Sequence, residues 1–127
     1  MRIFSKIFIV SILFAMSVSF AQAVEVLSPK DASALYAEKK AVIVDVREDD
    51  EWNEGHIAGA LHIPLNQLTE RVSELQQHKD ATIITQCKSG GRSAKALELL
   101  KTAGFSNVYS MDGGIKAWSQ QGLATTK

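Results

Sequence analysis

Two short runs of the 127-residue chain, Ala41-Val42-Ile43-Val44-Asp45-Val46 and Ala81-Thr82-Ile83-Ile84-Thr85-Gln86, constrain its fold more than any other feature. Both are rich in β-branched residues, and neither shows the clean polar/apolar alternation of a strand with one wet face. They are expected to be strands of a parallel sheet covered on both faces. Between them, Leu65, Leu68, Val72 and Leu75 recur at three- and four-residue spacing, which predicts a helix with one apolar face. Ser28-Pro29-Lys30-Asp31 predicts an earlier helix start, with Ser28 as cap and Ala32, Leu35 and Tyr36 on the inner face. A further helix is expected from about Arg92 to Ala103, with Leu97 and Leu100 inward and Gly104 as its stop. Asn107 to Met111 reads as another short strand. Ile115 and Trp118 read as the inner face of a last short helix, with Gly113 and Gly114 before it for close packing. Strands alternating with helices predict an α/β fold whose mainly parallel central sheet is flanked by helices.

The amino terminus reads as an address rather than as part of that fold. Arg2 and Lys6 precede the apolar run IFIVSILFAMSVSF, and Ala21-Gln22-Ala23 places small residues where a signal peptidase reads. Residues 1–23 are therefore expected to be a cleavable signal peptide, with the mature domain spanning residues 24–127. An uncleaved anchor is the competing reading, but serines interrupt the run and the Ala-Gln-Ala site ends it where a span would continue. The protein is expected to be exported, to the periplasm if the source is Gram-negative, and to meet a membrane only through this segment. Removing it leaves twelve basic and fourteen acidic residues, a net charge of −2, which argues against a polybasic nucleic-acid binder. About 104 residues without repeats or linkers suit one compact domain.

Export gives the only cysteine, Cys87, special weight, because cysteines in oxidising compartments usually come in pairs. Cys87 directly follows the second predicted strand, at the edge where ligands of parallel sheets bind. The loop Cys87-Lys88-Ser89-Gly90-Gly91-Arg92-Ser93 then leads into a predicted helix. Its glycines allow successive N–H groups to point inward as an anion-binding nest, and the helix start with Lys88 and Arg92 adds positive potential. These features favour a thiolate over a thiol of ordinary pKa about 8.5. They also suit a small oxyanion beside the sulfur. Each residue alone fits a glycine-rich turn around a buried cysteine; their combination on one loop points to chemistry.

DVRED at Asp45 to Asp49, EWNEGHIAGALHIP from Glu51 to Pro64, the CKSGGRS loop and MDGGIKAW from Met111 to Trp118 together resemble a single-domain rhodanese, a thiosulfate sulfurtransferase of the secreted or periplasmic kind. The resemblance covers nearly all of Val24 to Gly122. It implies a double displacement through a persulfide on Cys87, with thiosulfate as donor and cyanide or a thiol as acceptor. It also implies that the loop N–H groups and the Arg92 side chain hold the donor and the persulfide. The substrate-binding residues are then Lys88, Ser89, Gly90, Gly91, Arg92 and Ser93. Lys88 stands where many relatives carry arginine, so a point charge replaces a fork.

Asp45 ends a buried strand and is expected to pair with a basic group; with Arg47 it is read as scaffold for the site. The acids Glu48, Asp49, Asp50, Glu51 and Glu54 surround Trp52 and suit a solvated helix start. His56 and His62 lack a ligand quartet of zinc spacing, so neither a metal nor another cofactor is expected. Two other functions are weighed. A cysteine phosphatase or arsenate reductase places five residues between cysteine and arginine, whereas Lys88 to Gly91 is four, and Gln86 stands where such enzymes often have histidine. A persulfide carrier or binding module with poor turnover would use the same loop.

Overall fold

The computed structural model describes residues 25–127; the expected signal peptide lies outside the described residues. The order of elements is β1 (Val26–Leu27), α1 (Pro29–Ala37), β2 (Ala41–Asp45), α2 (Asp49–Glu54), β3 (Leu61–His62), α3 (Leu68–Arg71), β4 (Thr82–Gln86), α4 (Gly91–Thr102), β5 (Val108–Met111) and α5 (Gly114–Gln120). The strands form one sheet in the order β1-β5-β4-β2-β3. Every pairing is parallel. Both apolar runs of the sequence become the central pair, with Ala41 opposite Thr82 and Asp45 opposite Gln86.

Alternation along the central strands feeds two cores. Val44 and Ile83 face one side with Leu68, Leu75, Leu97 and Leu100, whereas Ile43 and Ile84 face the other with Ala32, Met111 and Trp118. Full burial of a side chain such as Leu68 or Leu75 contributes about 1.5–3 kcal/mol. Helix α1 starts as its sequence predicts: the Asp31 N–H donates to Ser28 Oγ at 3.1 Å, and Pro29 occupies the first turn. Among the described residues, no helix is long and apolar enough to cross a membrane.

One expectation needs correction, and two edge strands are unforeseen. The stretch predicted as one helix through Leu65 and Leu75 is broken into a 3-10 turn at Leu65–Gln67, the short α3, and a 3-10 stretch at Val72–His78. The spacings of three, four and three put these side chains on one face of an unbroken α-helix and of this succession alike, since a 3-10 turn repeats every three residues and an α-turn every 3.6. Leu68 and Leu75 remain fully buried. Helix α4 (Gly91–Thr102) bears out the helix expected from about Arg92 to Ala103, and β5 begins at Val108, one residue after the expected Asn107. Neither β1 nor β3 is predicted from the sequence; each is a two-residue strand at an edge of the sheet.

Candidate active site

Cys87 sits directly beyond β4, and its side chain turns into the core, leaving the residue 1% exposed. Gly90 caps α4 with φ 117°, a left-handed conformation that side chains disfavour, and its N–H points at Cys87 Sγ from 3.1 Å. Gly91 does not share this role: it has no positive φ and simply opens the helix. Burial pushes the Cys87 thiol up, but the Ser93 hydroxyl and the backbone N–H groups of Ser93, Gly90 and Ser89 together outweigh it, and the net shift is downward. Main-chain donors thus gather around the sulfur. Lys88 and Ser89 are exposed.

The loop is also gripped from behind. The Cys87 carbonyl accepts from the Ile115 N–H at 2.8 Å and from the buried Gln86 amide, and the Lys88 carbonyl accepts from the Lys116 N–H at 3.1 Å. The start of α5 must therefore touch the loop backbone. Gly114 makes this possible: at φ 60°, a Cβ there would overlap Cys87 O and the Lys88 carbonyl.

Ser93 is fixed by three elements. Its hydroxyl lies 3.0 Å from Gly90 O, 2.8 Å from Ser110 Oγ and 3.6 Å from Cys87 Sγ. Its own carbonyl accepts from Thr85 Oγ1 at 2.8 Å. Arg92 behaves differently from its expected role. Its guanidinium forks onto Glu51 of α2 at 2.6 and 2.8 Å instead of standing free for a donor. The bond from Arg92 holds the Glu51 carboxyl down at about 2 against the opposing effect of burial, and Arg92 is raised in turn.

Asp45 and Arg47 pair with each other. Arg47 Nη2 is 2.7 Å from Asp45 Oδ2, and the same guanidinium donates to the carbonyls of Glu51 and Gly55. Both residues are buried, so the pair anchors the ends of α2. His56 and His62 stack on opposite faces of Trp52, with ring centroids 3.6 and 4.6 Å away and planes within 6° of parallel. Each also meets a backbone carbonyl, His56 that of Trp52 and His62 that of Arg47. They serve α2 and the turn before β3. A cleft of about 320 Å³ opens beside the loop between Lys88, Lys116, Glu51, Glu54 and Thr125, with Arg47 in its wall.

Glu51 as a loop partner, and Gln86, Ser110 and Thr85 as supports of the site, are not expected from the sequence, whereas the close packing expected of Gly114 is found against the loop backbone. Glu51 and Arg92 are 41 residues apart, so no local pattern joins them. Gly114 carries a local signal in Gly113-Gly114 before Ile115.

The Rhodanese-like domain family model matches residues 28–121. The chain belongs to this family. It is 37% identical over 101 residues to the uncharacterized protein slr1261 of Synechocystis, covering 80% of this chain and 55% of that one. It is 39% identical over 92 residues to the thiosulfate sulfurtransferase GlpE of Pseudomonas entomophila, covering 72% and 82% respectively. Among solved structures, a thiosulfate sulfurtransferase from Pseudomonas aeruginosa superposes with a TM-score of 0.74 at 28% identity, over 81% of this chain and 20% of that one. The chain thus spans about half the length of the first of these relatives. Some members of the family are sulfurtransferases, and others have no described activity.

Proposed function

We propose that this chain is a sulfurtransferase that moves the sulfane sulfur of thiosulfate through a persulfide on Cys87. The observation that carries the reading is the Gly90 N–H aimed at Cys87 Sγ from 3.1 Å, in a loop of only four residues between Cys87 and Arg92 whose Ser89 and Ser93 N–H groups also favour the thiolate. In the first step the Cys87 thiolate attacks the outer sulfur of thiosulfate; the new S–S bond forms as the old one breaks, and sulfite leaves with the electron pair. In the second, an acceptor thiolate or cyanide attacks the outer sulfur of the persulfide, giving a new persulfide or thiocyanate and returning the Cys87 thiolate. The N–H donors stabilise negative charge on either sulfur without a counter-ion. Ser89, Gly90 and Ser93 supply these donors, and the reading adds Lys88 and Gly91 as the rest of the loop that receives the anion; Arg92 contributes through its position at the helix start while its charge is held by Glu51. The reading includes export, carried by the first 23 residues of the sequence. Supporting relatives are the sulfurtransferases matched above.

One observation favours the carrier reading: with Arg92 committed to Glu51, a doubly charged donor meets less free positive charge than the loop sequence implies. Intact-mass measurement after thiosulfate, with and without an added thiol, separates the two. Sulfur transfer predicts a gain of one sulfur atom that the thiol removes rapidly and repeatedly, and Cys87→Ser abolishes it. A persulfide that forms but turns over slowly with every acceptor makes the chain a carrier. Hydrolysis of an aryl phosphate faster than sulfur transfer would sink both.

A further inference from the structure

Ser110, on β5, is not part of the loop and does not touch the sulfur, yet it stands behind the one hydroxyl that does. Its Oγ is 2.8 Å from Ser93 Oγ, and the residue is 5% exposed. Among the described residues its hydroxyl has no other hydrogen-bond partner. Thr85 and Ser110 are register partners on β4 and β5, and both hydroxyls reach the first turn of α4, one to the Ser93 carbonyl and one to the Ser93 hydroxyl. Buried hydroxyls cost free energy unless bonded, so this pair is a feature that apolar residues would replace if packing alone mattered.

Proton counting gives Ser110 a direction. Ser93 Oγ carries one hydrogen and has three oxygens or sulfurs around it: Gly90 O, Ser110 Oγ and Cys87 Sγ. When Cys87 is a thiol, its S–H donates to Ser93 Oγ and Ser93 donates to Gly90 O. When Cys87 is a thiolate it only accepts, and Ser93 gains a stronger acceptor by turning its hydrogen from Gly90 O towards the sulfur. That turn is favoured if Ser110 donates to Ser93, because Ser93 then keeps its own hydrogen free and its oxygen more polarised. We infer that Ser110 is a positioning residue whose hydroxyl donates to Ser93, aiming the Ser93 hydrogen at the Cys87 thiolate and stabilising the ionised nucleophile. Both hydroxyls keep their protons throughout; only the thiol proton leaves, to water. The inference rests on Cys87 acting as a thiolate, as the proposed function requires.

The test is the pH dependence of Cys87 alkylation by iodoacetamide in the purified protein, which reads the thiolate directly and needs no sulfur substrate. Ser110→Ala is expected to move the midpoint to higher pH and to slow alkylation about three- to tenfold on the acid limb, with the alkaline plateau unchanged. Ser110→Thr, which keeps the hydroxyl, is expected to restore the wild-type midpoint. In a Ser93→Ala background, Ser110→Ala should move nothing further, because the relay is already cut. An unmoved midpoint in Ser110→Ala, or the same shift with and without Ser93, overturns the inference. Persulfide formation measured separately on the wild-type protein tells whether the sulfurtransferase reading itself has failed.

Discussion

The loops that follow β2 and β4 leave neighbouring strands at matched positions, Asp45 opposite Gln86, and are held by opposite means. The β2 loop is fixed by side-chain charge: Arg47 bonds to Asp45 and then to two carbonyls of the α2 region. The β4 loop is fixed by main-chain groups, with N–H donors facing the sulfur in front and the start of α5 holding two carbonyls behind. The difference suits their tasks. A scaffold tolerates a fixed ion pair, whereas a loop that receives an anion and releases another is better served by dipoles that need no partner ion of their own.

Breaking the β2 loop should have the largest effect on folding. Asp45→Asn leaves Arg47 buried without its carboxylate, and urea unfolding is expected to show a loss of about 3–5 kcal/mol. A loss below about 1 kcal/mol would show that the pair behaves like a surface bridge. Next, Gly114→Ala attacks the backbone grip on the β4 loop. The left-handed φ and the overlap with Cys87 and Lys88 together predict a loss of about 2–4 kcal/mol and slower persulfide formation. Gly91→Ala sharpens the contrast, since nothing lies within 4 Å of a Cβ there and α4 should be as stable or slightly more so.

The smallest effect belongs to the side-chain bridge between the two regions, Glu51–Arg92. Glu51→Gln keeps the shape and removes the charge, so Arg92 is freed to attract the donor. The KM for thiosulfate is expected to fall about two- to fivefold at low salt with little change in kcat, and the gain should fade as salt is added. The wild-type bridge is not a switch near neutral pH. Because the folded Glu51 carboxyl is depressed to about 2, its contribution is complete above the ordinary carboxylate range and is lost only as the pH falls towards that value. A wild-type KM that changes with titration of a carboxylate between pH 4 and 5 would place the controlling acid elsewhere.

What the sequence discloses follows the range of the interactions concerned. Ser28 and Asp31 are neighbours, so the start of α1 is legible, and the β-branched runs expose the central strands. The CKSGGRS loop is legible for the same reason: cysteine, glycine and helix start are consecutive. By contrast, β1 and β3 are too short to carry a pattern and exist through their partners. The Glu51 acid looks like one more solvated charge at a helix start until α4 is brought against it. Ser110 is a small polar residue in a short strand, and only the packing of β5 beneath α4 reveals a function for it.

The brevity of the two outer strands bears on how copies of the molecule treat one another. A sheet edge is a row of unpaired amides and carbonyls, ready to template a neighbouring chain. Here each edge is only two residues long, Val26–Leu27 on one side and Leu61–His62 on the other, while the long apolar strands lie inside. Among the described residues, the segments with the greatest appetite for fibre growth are thereby kept from contact, and the sheet offers little edge on which to seed aggregation.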